Sequence, residues 1–176
     1  IDFVMPFNSR DHSFSITHSV SDSTVIEEPF DEIEVASETE SIRIGLNFPL
    51  YRTPNTDVEL SIAAEKRRNY TELLDQPFSF SEGAINGESR ATPVRLSLSY
   101  VYQGIAQSLA TRLVVSKGTS KFDAADNLSQ PDGDFTSYIA QLQYSRQLSD
   151  NFHVTTRLAA QIAADPLLAI ERFAIG

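Results

Sequence analysis

Three histidines, His12, His18 and His153, have the side chains best suited to moving protons or holding a metal near neutral pH. None stands at a metal-ligand interval from another histidine, or at helical spacing from a carboxylate. His12 falls in a turn, and His153 lies on the polar side of an extended stretch. Carboxylates gather twice, as Glu27, Glu28, Asp31, Glu32 and Glu34, and as Asp123, Asp126, Asp132 and Asp134. Carboxylate oxygens bind Ca²⁺, but neither group has the D-x-D-x-D-G spacing that folds a loop around the ion. Both read as solvated loops. No G-x-S-x-G elbow, P-loop or dinucleotide fingerprint occurs. Cysteine is absent, so there is no disulfide framework and no thiolate metal site. The sequence therefore assigns no catalytic residue, no cofactor and no metal, and it does not read as an enzyme.

What the remaining residues can do depends on where the backbone puts them. The chain has 176 residues, enough for one ordinary domain. Its apolar content of 41% is that of a folded protein. A net charge of −10 argues against a general nucleic-acid binder, which needs cations opposite phosphates. No apolar run is long enough for a transmembrane helix. Barrel strands escape that test, because only every second residue of a membrane strand is apolar.

Alternation is the dominant pattern. Phe152, Val154, Thr156, Leu158, Ala160 and Ile162 share one phase, and His153, Thr155, Arg157, Ala159 and Gln161 share the other. Successive side chains of a strand point to opposite faces, so this stretch has one apolar and one polar side. The same reading holds for Ile1 to Phe7, for Phe14 to Val20, and for Ile42, Ile44, Leu46, Phe48 and Leu50. It holds again for Val58 to Ala64, for Val94 to Tyr102, for Leu109 to Val115 and for Tyr138 to Tyr144. Glu32 to Glu40 is read as an extension of the third strand beyond the membrane. Eight strands result, joined by connections that alternate short and long. The short ones are Asn8 to His12, Tyr51 to Thr56, Gln103 to Gln107 and Gln147 to Asp150. The long ones are Ser21 to Glu40, Lys66 to Ala91 and Lys117 to Asp134. This is an all-β, antiparallel up-and-down meander with its long loops at one end, as in outer-membrane barrels.

Although 22% of the chain is charged, the apolar phase of these strands carries no Asp, Glu, Lys or Arg. Lipid contact would purge such residues, since an arginine near the bilayer midplane costs about 2–4 kcal/mol. Phe48, Tyr51, Tyr100, Tyr102, Tyr144 and Phe152 lie beside short turns, where an interfacial aromatic girdle would sit. The opposite phase supplies the candidates for a wet interior: Arg43, Asn47, Glu59, Arg95, Arg112, Gln141, Gln143, Arg157 and Gln161. Two other architectures share the pattern. One is a passive porin-like or small eight-stranded outer-membrane barrel. The other is a soluble lipocalin-like ligand-binding barrel, with the apolar phase turned inward.

The final stretch discriminates further. Taken alone, Asp165 as N-cap and Pro166 at the first helical position would open a helix. The run from Leu167 to Gly176, LLAIERFAIG, resembles the E-[RQ]-F-x-[IL]-G-G segment of two-partner secretion transporters, the secretion/activation family for haemolysins and filamentous haemagglutinins. Glu171, Arg172, Phe173, Ile175 and Gly176 match it. EEPFDE (Glu27 to Glu32), NFPLYRT (Asn47 to Thr53) and the run from Asp132 to Leu148 are similar to the family as well. The resemblance implies a bacterial outer-membrane translocator, surrounded by lipid, that secretes a large partner exoprotein without ATP. It implies that residues 1–176 are a segment of a transmembrane barrel of about sixteen strands. Periplasmic POTRA domains would precede the segment and further strands would follow it. The segment ending at Gly176 would lead into a loop that folds back into the barrel.

Overall fold

The computed structural model describes residues 1–24, 35–120, 124 and 131–173. Ten strands form one antiparallel sheet: β1 (Asp2–Pro6), β2 (Ser13–Thr24), β3 (Val35–Arg52), β4 (Thr56–Leu73), β5 (Gln76–Pro77), β6 (Glu88–Ala91), β7 (Val94–Gln103), β8 (Gln107–Lys117), β9 (Thr136–Ser149) and β10 (Phe152–Ala163). The path β1-β2-β3-β4-β7-β8-β9-β10 is the expected eight-stranded meander. It is open, with β1 and β10 at its edges. The short strands β5 and β6 both pair with β4.

Register keeps the two phases apart across the whole sheet. Leu46 pairs with Ile62, Ile62 with Leu96, Leu96 with Val115 and Val115 with Tyr138. One residue along, Asn47 pairs with Ser61, Ser61 with Ser97 and Ser97 with Val114. A slip of one residue would exchange the faces, so the pattern itself fixes the pairing. Which face is covered decides between the architectures. Leu96 is 45% exposed and Leu113 53%, whereas Ser97 is 6% exposed and Ser116 0%. A water-soluble barrel would show the reverse, so the lipocalin-like reading is excluded. Leu60, Leu96, Leu113 and Leu142 lie on the open apolar face, and the shielded groups are small and polar.

The short connections are tight and stitched to one another. The Asn8 side chain accepts hydrogen bonds from the backbone N–H groups of Arg10 and His12, both at 3.0 Å. Asn55 and Gln103 link two neighbouring turns, the Asn55 Nδ2 donating to the Gln103 carbonyl at 3.1 Å. A bulge at Leu50 sets Tyr51 opposite Val58, which moves this tyrosine onto the apolar face with Phe48, Tyr100, Tyr102 and Tyr144. His12 packs edge-on against Phe48, with ring centroids 5.2 Å apart.

At the other end the strands run further than the apolar pattern. The third strand does include Val35 to Glu40, paired with β4 as Glu40↔Arg68 and Glu38↔Tyr70. Glu32 to Glu34 lie outside the described residues, as do Glu27, Glu28 and Asp31. The section from Lys66 to Ala91, read as loop, is partly strand. β4 continues to Leu73, and Leu74 and Asp75 form a two-residue turn with φ of 52° and 56° into β5. Asn86 and Gly87, at φ 51° and 77°, form a second such turn between Ile85 and Glu88. β6 and β7 hold a single register against β4, interrupted only at Thr92 and Pro93. Proline has no N–H for the ladder, which explains the break.

Leu113→Arg is expected to destabilise the full-length protein refolded in lipid vesicles by about 2–4 kcal/mol. Ala110→Arg, on the other face of the same strand, should cost far less. Denaturant titration of the folded fraction measures both.

Candidate functional site

The polar face is crossed by the end of the chain. After β10 the backbone turns back and Leu167 and Leu168 are buried, Leu168 beside Gly83 and Pro131, while Phe135 is buried against Gly118. Their packing is close. A Cβ on Gly83 would lie 2.5 Å from a Leu168 methyl, and one on Gly118 would lie 2.3 Å from the Phe135 ring. Gly83 also has φ +83°, so glycine is required there twice over.

The helix expected from Asp165 does not form. A single 3₁₀ turn spans Ala169–Glu171, and Arg172 is already extended. Tertiary bonds explain why. Glu171 is buried, and both of its carboxylate oxygens accept from Nη2 of Arg95 at 2.9 Å. Its carbonyl accepts from Nε2 of Gln161 at 2.8 Å, and the Phe173 N–H donates to the Gln161 Oε1 at 2.7 Å. Arg67 donates to the Ile170 carbonyl at 2.8 Å. The segment is therefore fastened to β4, β7 and β10 at once, and a continued helix would withdraw these groups.

Arg95 is the centre of this arrangement. Besides Glu171 it donates through Nε to Glu65 at 2.9 Å and through Nη1 to Ser116 at 2.8 Å. Glu65 is held a second time by Arg67 at 2.9 Å. The rung that carries Arg95 is otherwise small: Gly45, Ala63, Ser116 and Ser137. Small neighbours leave room for a guanidinium and for the returning turn. At Gly45 the space is filled, since an added Cβ would meet the Ser15 hydroxyl at 3.0 Å. Two carboxylates around one arginine, with a second arginine beside them, balance in charge. A buried ion needs that compensation, because removing one partner leaves the other without water.

The remaining sequence-derived candidates all share this face. Asn47 donates to Ser13 and Ser15 at 3.3 and 3.4 Å. Arg43 pairs with Glu65 in register, and Glu59 with Ser99. Arg112, Gln141, Gln143 and Arg157 come together around a cavity of about 640 Å³, with Phe173 in its lining. Arg112 and Arg157 form no ion pair among the described residues. Arg172 is exposed and donates to the Leu167 carbonyl at 3.0 Å, whereas Ile175 and Gly176 lie outside the described residues. Glu65, Arg67 and Ser116 were not singled out in the sequence. Glu65 and Arg67 sit where the apolar pattern ends, and the signal for them was their alternate spacing beyond Ala63.

Among the described residues the histidines have other partners. His18 meets Glu40 at 3.1 Å, and His153 meets Ser145 at 2.7 Å. Among the described residues no three His, Cys, Asp or Glu side chains converge on a common point. Asp132 accepts from the Asp134 backbone at 2.9 Å, and Asp134 pairs with Lys117 at 2.6 Å. Asp123 and Asp126 lie outside the described residues.

An open antiparallel meander with a bare apolar face and a shielded polar one is the wall of a membrane β-barrel. A family model, that of the haemolysin secretion/activation protein ShlB/FhaC/HecB, matches residues 1–176, and the chain belongs to this family. Among solved structures it is similar to CdiB from Escherichia coli, with a TM-score of 0.67 and 20% sequence identity. The match covers 91% of this chain and 30% of CdiB, so the chain spans under a third of that protein's length. No curated protein matches.

Arg95→Ala should free the turn, leaving Glu65 and Glu171 as neighbouring carboxylates. Removing one partner of a buried pair costs about 3–5 kcal/mol. Amide hydrogen exchange of Leu167 to Phe173 in the full-length protein is expected to accelerate. The volume-filling pair Arg95→Met with Glu171→Leu should restore part of the protection.

Proposed function

We propose that this chain is one section of an outer-membrane pore that secretes a partner exoprotein, received as an unfolded chain, without ATP and without a chemical step. The observation that carries the reading is the inverted sheet: greasy side chains open to the surroundings, polar ones sheltered, in a chain of the secretion/activation family. In lipid every peptide group must find its partner within the protein, and the ladder from β1 to β10 provides this. The two open edges are a liability by themselves. Further strands of a barrel of about sixteen would cover them. We place residues 1–176 within that barrel, with the POTRA domains that select the exoprotein located elsewhere in the full-length protein.

The polar face would line the lumen. There the conduction surface is Arg43, Asn47, Glu59, Arg112, Gln141, Gln143 and Arg157, mixed in charge and rich in amides. An extended substrate finds many weak partners on such a surface and no single strong one. Arg95, Gln161 and Glu171 have a different duty: they seat the returning segment against the wall, so that Phe173 borders the cavity between Arg112 and Arg157.

Charges that line a pore set its ion preference. In planar bilayers the full-length protein with Arg112→Glu and Arg157→Glu is expected to shift toward cation selectivity. Export of its exoprotein into the medium should fall several-fold while the barrel remains heat-modifiable on gels. Unchanged selectivity and unchanged export together would remove these residues from the lumen. Failure of the unaltered protein to export any exoprotein would leave a passive pore.

A further inference from the structure

On the polar face, two neighbouring rungs of β8, β9 and β10 mirror each other. Arg112 of β8 pairs with Gln141 of β9, and Gln141 with Ala159 of β10. Two residues along β9 the order is reversed: Ala110 pairs with Gln143, and Gln143 with Arg157. Each rung thus carries one arginine, one glutamine and one alanine, with the arginines at opposite corners. The alanines leave space beside each glutamine, and all six residues line the cavity of about 640 Å³. Phe173, brought there by the returning segment, borders it.

The charges here are unanswered, unlike those around Arg95. Arg112 and Arg157 are exposed, and among the described residues neither side chain has an ion pair or a hydrogen bond. Glu59, the carboxylate on the Arg112 rung, stands two strands away, beyond Ser99. A guanidinium can bind a carboxylate through two parallel hydrogen bonds, and an amide N–H₂ beside it is a further donor. The two arginine–glutamine pairs are offset by two residues along β9, about 7 Å. That is also the interval between successive side chains on one face of any extended chain. β9 runs from the long-loop rim to the short-turn rim, so a polypeptide laid along it is oriented for transit. Acidic residues at alternate positions of such a polypeptide would meet both pairs at once. Both guanidiniums face water, so each contact is weak and reversible.

We propose that Arg112 with Gln141, and Arg157 with Gln143, form a two-point seat for an acidic stretch of extended polypeptide whose carboxylates alternate with other residues. The proposal rests on the polar face lining the lumen, and it names the substrate chemistry which that face favours.

Current blockades in planar bilayers holding the full-length protein test this with four probes. They are a peptide of alternating Glu and Thr, a peptide of equal charge built from Glu-Glu-Thr-Thr blocks, the alternating peptide with Gln for Glu, and free glutamate. The alternating acidic peptide should dwell longest. Arg112→Gln and Arg157→Gln should each shorten its dwell time by about five-fold, the loss of one exposed ion pair. Arg112→Lys, which keeps the charge but not the fork, should fall between. Arg146→Gln, on the opposite face of β9, should leave the dwell time unchanged. Equal dwell times for the alternating and block peptides, or for the Glu and Gln peptides, would overturn the seat. So would an unaltered dwell time in the double Gln variant. Abolition of the block by free glutamate at the same carboxylate concentration would replace the seat with a one-point anion site and overturn the polypeptide assignment. Heat-modifiable migration confirms that each variant is folded. A protein that conducts without distinguishing the peptides loses the seat and keeps the pore, whereas an unaltered protein that does not conduct loses both.

Discussion

A peptide group in hydrocarbon has nothing to bond with except another peptide group. Most of this structure follows from that constraint. It demands strand-to-strand pairing through the hydrocarbon, where the cost of burying charge also keeps the lipid face apolar, and it leaves most of the chemical variety within that band to the other face. Soluble sheets solve the opposite problem, by hiding apolar groups from water. Here Leu96 and Leu113 are open while Ser97 and Ser116 are covered. The most protected polar cluster, Glu65, Arg95 and Glu171, lies on the sheltered side, where an ion can be matched by other ions.

That cluster links wall and lumen. Arg95 stands on a rung with Gly45, Ala63, Ser116 and Ser137, whose small side chains leave its guanidinium room. It receives Glu171 from a segment that belongs to β10 by sequence but packs over β7 and β4. Lost water must be repaid by several partners at once. Each of these charges has them: Glu65 from two arginines, Glu171 from Arg95 and, more distantly, Arg67. The turn is thus positioned by charge and hydrogen bonding rather than by helical propensity.

The strands were legible in the sequence because alternation is a local signal. Ile42 to Leu50, Val58 to Ala64 and Val94 to Tyr102 announce both strand and face without reference to any partner. The outer half of β4 was not legible in the same way. Lys66, Arg68, Tyr70 and Glu72 on one phase and Arg67, Asn69 and Thr71 on the other are all polar, and what makes them a strand is the row opposite, where Glu40 meets Arg68 and Glu38 meets Tyr70. Such pairing is non-local. Asn86-Gly87 is different: the dipeptide is a strong hairpin signal, and it was there to be read. At the end of the chain, Asp165 and Pro166 are a sound local argument for a helix. The helix loses because Arg95, Arg67 and Gln161 hold Glu171 and its neighbours in a shape that a helix cannot take.

Side-chain environment along one strand offers the most direct test. The chain has no cysteine, so single cysteines can carry a spin label without interference. Labels at Arg95, Leu96, Ser97, Leu98 and Ser99 of the full-length protein in lipid vesicles sample both phases of β7. Collisions with oxygen, which concentrates in hydrocarbon, should peak at Leu96 and Leu98. Collisions with a water-soluble nickel chelate should peak at Ser99, with Ser97, which is covered, low toward both colliders. The same accessibility at all five positions, or peaks in the opposite phase, would contradict an apolar face turned to lipid around a wet interior.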